Sequence, residues 1–151
     1  MPSDNITEKL KHEEFVRKVC ETNSVYGLES DEGFATANSN EFDDENGEPI
    51  EMICFWSHKK QATSCIKNNW AQYKVAEMPL SEFIENWCIG MNNDGLIIGT
   101  NFDENMSGFE IEPLELILEL VKELRINKSD ISFLEFDNLD DLETQIKSAN
   151  D

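Results

Sequence analysis

The chain has 151 residues, 39% of them hydrophobic and 29% charged, with a formal charge of -20 from 32 acidic and 12 basic side chains. A chain of this length can bury roughly 70% of the surface that it exposes when unfolded, enough for one core. The charge excludes nucleic acid and anionic lipid as direct partners, because both call for a basic stripe.

The charges are unevenly placed. From Val19 through His58, and again from Val75 through Val121, there is no Lys or Arg, while acids recur through both spans. Such a surface suits a basic protein or a cation. No stretch approaches the ~20 apolar residues of a membrane span, and MPSDNITEKLKHEEF at the N-terminus lacks the apolar centre of a signal peptide. The expected location is the cytoplasm, with no membrane partner. Cys20, Cys54, Cys65 and Cys88 then read as free thiols rather than a disulfide framework.

Asn5 and Glu8 resemble a capping box, and Ile6, Leu10, Val16, Val19 and Cys20 share one face of a helix ending near Thr22. Val25, Tyr26 and Leu28, then Phe34 and Ala35 beyond the turn ESDEG, predict a hairpin. NSNEFDDENGEP, residues 38–49, reads as a solvated acidic loop. It does not fit a calcium loop: with Gly47 at the turn, Phe42 takes the first ligand position and Ile53 the last.

Ile50 to Trp56 predicts a buried strand, and Ser57 is placed to cap a helix carrying Ala62, Cys65, Ile66, Asn69 and Trp70 on one face. Tyr73 to Met78 predicts a short strand. Ser81 is placed to cap a helix with Phe83, Ile84, Trp87, Cys88 and Met91 as its apolar stripe and Gly90 at its close. Leu96 to Thr100 predicts a strand whose Gly99 marks a bulge or a close backbone approach. Pro113 opens the strongest helix, with Leu114, Ile117, Leu118, Val121 and Leu124 facing one way. Beyond it, Ile131 to Phe136 predicts a further strand, and Asp137 is placed to cap a helix carrying Leu139, Leu142 and Ile146.

These elements predict an α+β fold: a single domain with a mostly antiparallel sheet of about five or six short strands packed against three or four helices. Residues 1–125 form the compact unit, and residues 126–151 are a C-terminal extension docked on or near it.

The order and spacing of Trp56-Ser57, Ala62, Trp70, Tyr73, Leu80, Phe83, Trp87, Asp94-Gly95 and Gly99 resemble domain of unknown function 2750, a small bacterial family. The resemblance covers roughly Phe15 to Leu124. It implies a compact bacterial α+β domain and carries no established activity. Its motifs are aromatic and structural, and the segment after Arg125 extends past them.

Ser57, His58, Lys59 and Lys60 form the one basic cluster in a long acidic stretch, at a helix start where free amides suit an anion. With Trp56 they are the candidate ligand-binding residues, against the alternative that the lysines pair with the chain's own carboxylates. Cys54 and His58 invite a thiol-imidazole reading, but four residues of strand span roughly 13 Å. His12 reads as exposed on a charged helix face. There is no P-loop, no GxGxxG, no GxSxG and no CxxC, and two histidines without a close cysteine pair do not make a zinc site. No catalytic residue, metal ligand or cofactor is assigned.

The leading functional reading is a non-enzymatic acidic module that recognises a basic partner protein, in the manner of an immunity protein or inhibitor. Asp43, Asp44, Glu45 and Glu48 would steer that partner electrostatically. Mimicry of nucleic acid is its narrower form. The alternative is a small-molecule binding protein or enzyme with an anionic ligand near Trp56 to Lys60, and the chain could be a monomer or a homodimer.

Overall fold

The computed structural model describes residues 2–150. Helix α1 (Pro2–Thr22) already contains Asn5, so the first turn lies upstream of the expected cap. The side chains of Asn5 and Asn69 lie outside the described residues. The buried face of α1 is His12, Phe15, Val16, Val19 and Cys20, at helical spacing. Ile6 and Leu10, expected on that face, are 64% and 60% exposed. The helix stops at Asn23, whose φ of 60° turns the chain while its N–H still bonds Val19 O at 2.8 Å.

The strands are β1 (Ser24–Ser30), β2 (Gly33–Phe34), β3 (Thr36–Asp43), β4 (Pro49–Phe55), β5 (Lys74–Pro79), β6 (Ile97–Thr100) and β7 (Phe109–Ile111). They form two sheets rather than the expected one: an antiparallel β2-β1-β5 and a four-stranded β3-β4-β6-β7. Within the second, β4 and β6 run parallel, because the long helical connection between them is a crossover rather than a hairpin. The sheets touch where Tyr26 and Trp56 exchange backbone hydrogen bonds of 2.9 and 2.8 Å.

Residues 38–49 correct the sequence reading. Half of the acidic segment, residues 38–43, lies in strand β3 and pairs with β4, and a tight turn joins the two. The ladder shifts between Asn38 and Asp43, and the Glu110 carboxylate of β7 fills the gap. It accepts the Ser39 hydroxyl and the N–H groups of Asn40 (2.9 Å) and Glu41 (3.4 Å). A buried carboxylate thus satisfies backbone donors that the bulge removes from the ladder.

Helix α2 (Lys59–Ser64) is shorter than its apolar stripe suggested. Lys67 is extended and Asn68 has φ 56°, so Trp70 is reached through a separate 3-10 turn, Asn68–Trp70. Helix α3 (Leu80–Glu82), a π-helical stretch Phe83–Cys88 and α4 (Ile89–Asn93) run continuously. Pro79, not Ser81, precedes the first turn. The closing glycine is Gly95, not Gly90: at φ 73° its N–H bonds Asn92 O (3.2 Å) and the Leu96 N–H bonds Met91 O (2.9 Å). That pair is a Schellman closure, which needs a left-handed residue where Gly95 stands.

Helix α5 (Pro113–Ile126) buries Leu114, Leu116, Ile117, Leu120, Val121 and Leu124, a wider face than one stripe, because α1, α4 and α6 (Leu139–Asn150) all pack on it. Residues 131–136 form no strand. They cross as irregular chain with Ile131, Phe133 and Phe136 packed on the main core. Asn138, not Asp137, caps α6, its Oδ1 accepting the Asp141 N–H at 2.8 Å. Leu142 and Ile146 of α6 are buried in that same core. A smaller second core surrounds Trp56 with Leu28, Met52, Cys54, Cys65, Trp70 and Phe102.

Candidate functional site

Two parallel strands ending side by side leave their next residues at one edge, and in open α/β sheets that edge is where ligands bind. Here β4 runs out into Trp56 and Ser57, and β6 into Asn101 and Phe102. Trp56 is fully buried, donates its indole N–H to Phe102 O at 2.8 Å and meets Trp70 edge-on at 6.3 Å. Phe102 sits where glycines leave room. A Cβ on Gly99 would lie 2.7 Å from its ring, and one on Gly108 would overlap it.

Asn101, at φ 50°, holds this edge together. Its Oδ1 accepts the Ser57 N–H (2.9 Å), and its Nδ2 donates to Ser57 Oγ (3.0 Å) and to Lys11 O (3.1 Å) on α1. Ser57 Oγ also lies 2.9 Å from His58 Nδ1. One residue earlier in β6, Thr100 Oγ1 is 2.8 Å from His12 Nδ1, and His12 Nε2 is 2.6 Å from Glu119 Oε1. The His12 ring stacks on Phe109 at 4.3 Å. His12 is 3% exposed, which corrects its reading as a surface residue.

Hydroxyl, imidazole and carboxylate in a line resemble a nucleophile relay. Thr100 is fully buried, however, and Ser57 is 3% exposed, so neither hydroxyl faces a substrate. The arrangement fastens α1 and α5 to the end of the parallel pair. Its signal was in the sequence: His12, Phe15, Val16 and Val19 fall at i, i+3, i+4 and i+7, which put the histidine on the apolar face.

Of the proposed ligand residues, Trp56 and Ser57 belong to this internal network, His58 is half-buried, and Lys59 and Lys60 are exposed. His58 holds the cap position of α2 expected of Ser57, and its side chain makes no capping bond. Among the described residues, neither lysine has an ion-pair partner. None of five open cavities of about 480–740 Å³ is lined by any of these five residues. One of about 480 Å³ lies between β3, β4 and the 3-10 turn, walled by Trp70, Glu51, Lys67 and Glu104, the last two 3.6 Å apart.

Asp43, Asp44, Glu45 and Glu48 come together at the tip of the β3–β4 hairpin, all exposed. Asp44 Oδ1 accepts the N–H groups of Asn46 (2.8 Å) and Glu48 (3.0 Å), so this carboxylate shapes the turn. The other three carboxylates have no ion-pair partner among the described residues.

The four thiols are buried and free of disulfides. Burial pushes Cys20 up to about 12, with the Glu123 charge adding to it. Burial raises Cys54 further, with smaller contributions from Cys65 and Glu110, and it raises Cys88 and Cys65 as well. Buried thiols of this kind are poor nucleophiles, which disposes of the Cys54–His58 pairing. Among the described residues, no group of three or more His, Cys, Asp or Glu side chains could hold a metal ion, and no helix is long and apolar enough to cross a membrane.

Fold and site thus define a mixed α+β domain with two sheets, a helical layer and an internally satisfied polar edge. The chain belongs to the family described as Protein of unknown function (DUF2750), which matches residues 12–120. No curated protein and no solved structure matches it.

Proposed function

We propose that the protein is a non-enzymatic binding module for a basic partner protein, engaged through the acidic β3–β4 hairpin. The observation that carries this reading is the exposure of Asp43, Glu45 and Glu48, with no ion pair inside the described chain, on a turn that Asp44 holds rigid. Residues 24–56, which include the tip, contain nine acids and no Lys or Arg, so this stretch of chain carries only negative charge. Such a field speeds encounter with a positive surface and adds little once both are screened. Immunity-like or inhibitor-like action on a basic protein is the concrete form. Exchange of Asp43→Asn, Glu45→Gln and Glu48→Gln together should slow association by about tenfold or more at low salt, with urea unfolding unchanged. Unaltered association in this triple variant overturns the reading.

A second reading, an anionic small molecule at Lys59 and Lys60, rests on those two lysines being exposed and unpaired among the described residues. Calorimetry with anionic metabolites against Lys59→Ala/Lys60→Ala separates it from the first: only this reading requires binding that the double variant loses.

A further inference from the structure

One face of the molecule, built from α1 and α5, combines exposed apolar groups with balanced charge. Ile6, Leu10 and Ile126 are three of the large hydrophobic side chains that remain exposed, at 64%, 60% and 64%. Ile6 and Leu10 are one turn apart on α1, and Leu10 and Ile126 line the same open groove between α1 and α5, about 740 Å³ in volume, with Val16 and Phe109. Around it stand Lys9, Arg17 and Lys122 together with Glu13, Glu14, Glu119 and Glu123. From residue 6 to residue 21, α1 carries four acids and four bases. Among the described residues, Lys9, Glu13 and Lys122 have no ion-pair partner within the chain.

We propose that this α1–α5 face binds a second copy of the chain in a two-fold dimer. Two bodies of charge -20 repel one another. Close approach is therefore favoured where charge cancels locally, and this face meets that condition while the β3–β4 hairpin, with no Lys or Arg of its own, does not. A two-fold axis brings the same surface to itself, so acids and bases interspersed on one patch can each meet an opposite charge across the axis. Leu10 and Ile126 supply the apolar centre that such a contact needs. A strongly basic partner, in contrast, gains more from the hairpin, where no lysine or arginine opposes it. The dimer stands independently of the proposed function and has the opposite salt dependence: added salt screens the net repulsion between copies and tightens self-association, while it weakens attraction to a basic partner.

Sedimentation velocity on the full chain, across a wide concentration range at low and high salt, tests this. The result expected is a monomer–dimer equilibrium that strengthens with salt. Leu10→Glu and Ile126→Glu should each weaken it by about tenfold or more, because a buried unpaired charge replaces an apolar contact. Leu134→Glu, at a site 96% exposed on the irregular C-terminal stretch, should leave it unchanged. Monomer at every concentration and salt, an open-ended assembly, or a dimer indifferent to both Leu10→Glu and Ile126→Glu overturns the proposal.

Discussion

Asp44 and Asp103 open the same turn in two places. In each, the fifth residue's carbonyl accepts the aspartate N–H (2.8 Å from Asp44, 2.9 Å from Asp103), and the aspartate carbonyl accepts the fourth residue's N–H at 3.0 Å. In each, Oδ1 accepts the N–H groups of the third and fifth residues. Both turns read Asp-Glu-Asn, and the fourth residue is left-handed in both: Gly47 at φ 81° and Met106 at φ 62°.

That match yields an asymmetric prediction. A left-handed conformation suits glycine and strains a side chain. Met106→Gly should stabilise the protein by about 0.5–1 kcal/mol, and Gly47→Ala should cost about 1 kcal/mol, both read from urea unfolding.

Removing the His12 imidazole leaves the buried Thr100 hydroxyl unpartnered and ends the stacking on Phe109. His12→Ala should lower stability by about 2–4 kcal/mol in urea or thermal unfolding. Wild-type stability in this variant would refute the clamp between α1, β6 and α5.

Gly108→Ala places a methyl group against the Phe102 ring and its Cα, while the Phe102 carbonyl is held by the Trp56 indole N–H and the Cys65 thiol. The expected cost is about 1–3 kcal/mol. Gly90→Ala, with nothing near its added Cβ, is the control and should be neutral or slightly stabilising.

Two carboxyls give opposite pH signatures. Burial raises Glu41, and the Glu110 and Glu8 charges add to it. An acid whose folded value is raised favours the folded state at low pH and loses that advantage as pH rises through the folded value. Glu41→Gln should therefore stabilise the protein at neutral pH, with the gain vanishing below about pH 4. Burial also works to raise Asp103, but the Ser107 N–H, the Lys11 ammonium and the Asn105 N–H outweigh it and hold the carboxyl below its ordinary value. Its contribution is present at neutral pH and lost as pH falls through that lowered value. Asp103→Asn should therefore destabilise at neutral pH, and the deficit should shrink in acid. Melting temperature against pH checks both signs.

The apolar runs were readable because burial writes itself in periodicity. Ile50 to Trp56, Leu96 to Thr100 and the stripe of α5 emerge where their patterns place them. Some misses are features whose partner lies far along the chain, and others are local signals overruled by their neighbours. Residues 38–43 carry strand-poor residues, yet they pair with β4 and take Glu110 from β7. Ser81 and Gly90 are locally plausible helix ends that the π-helical stretch and the Gly95 closure overrule. His12 was hidden by the charges beside it, although its spacing to Phe15, Val16 and Val19 was apolar. Of the candidate site, the hairpin acids were legible as one cluster. The parallel β4–β6 pair was not, and so Asn101, Thr100 and Glu119 could not be joined to Ser57 and His12.

Affinity capture by the full chain from a lysate of its source, first at low salt and then with salt raised stepwise, tests the central claim most directly. The account predicts one basic protein, held at low salt and released as salt rises, and absent when the bait carries Asp43→Asn, Glu45→Gln and Glu48→Gln. No retained protein at low salt, or a partner held equally by bait and variant, would contradict it.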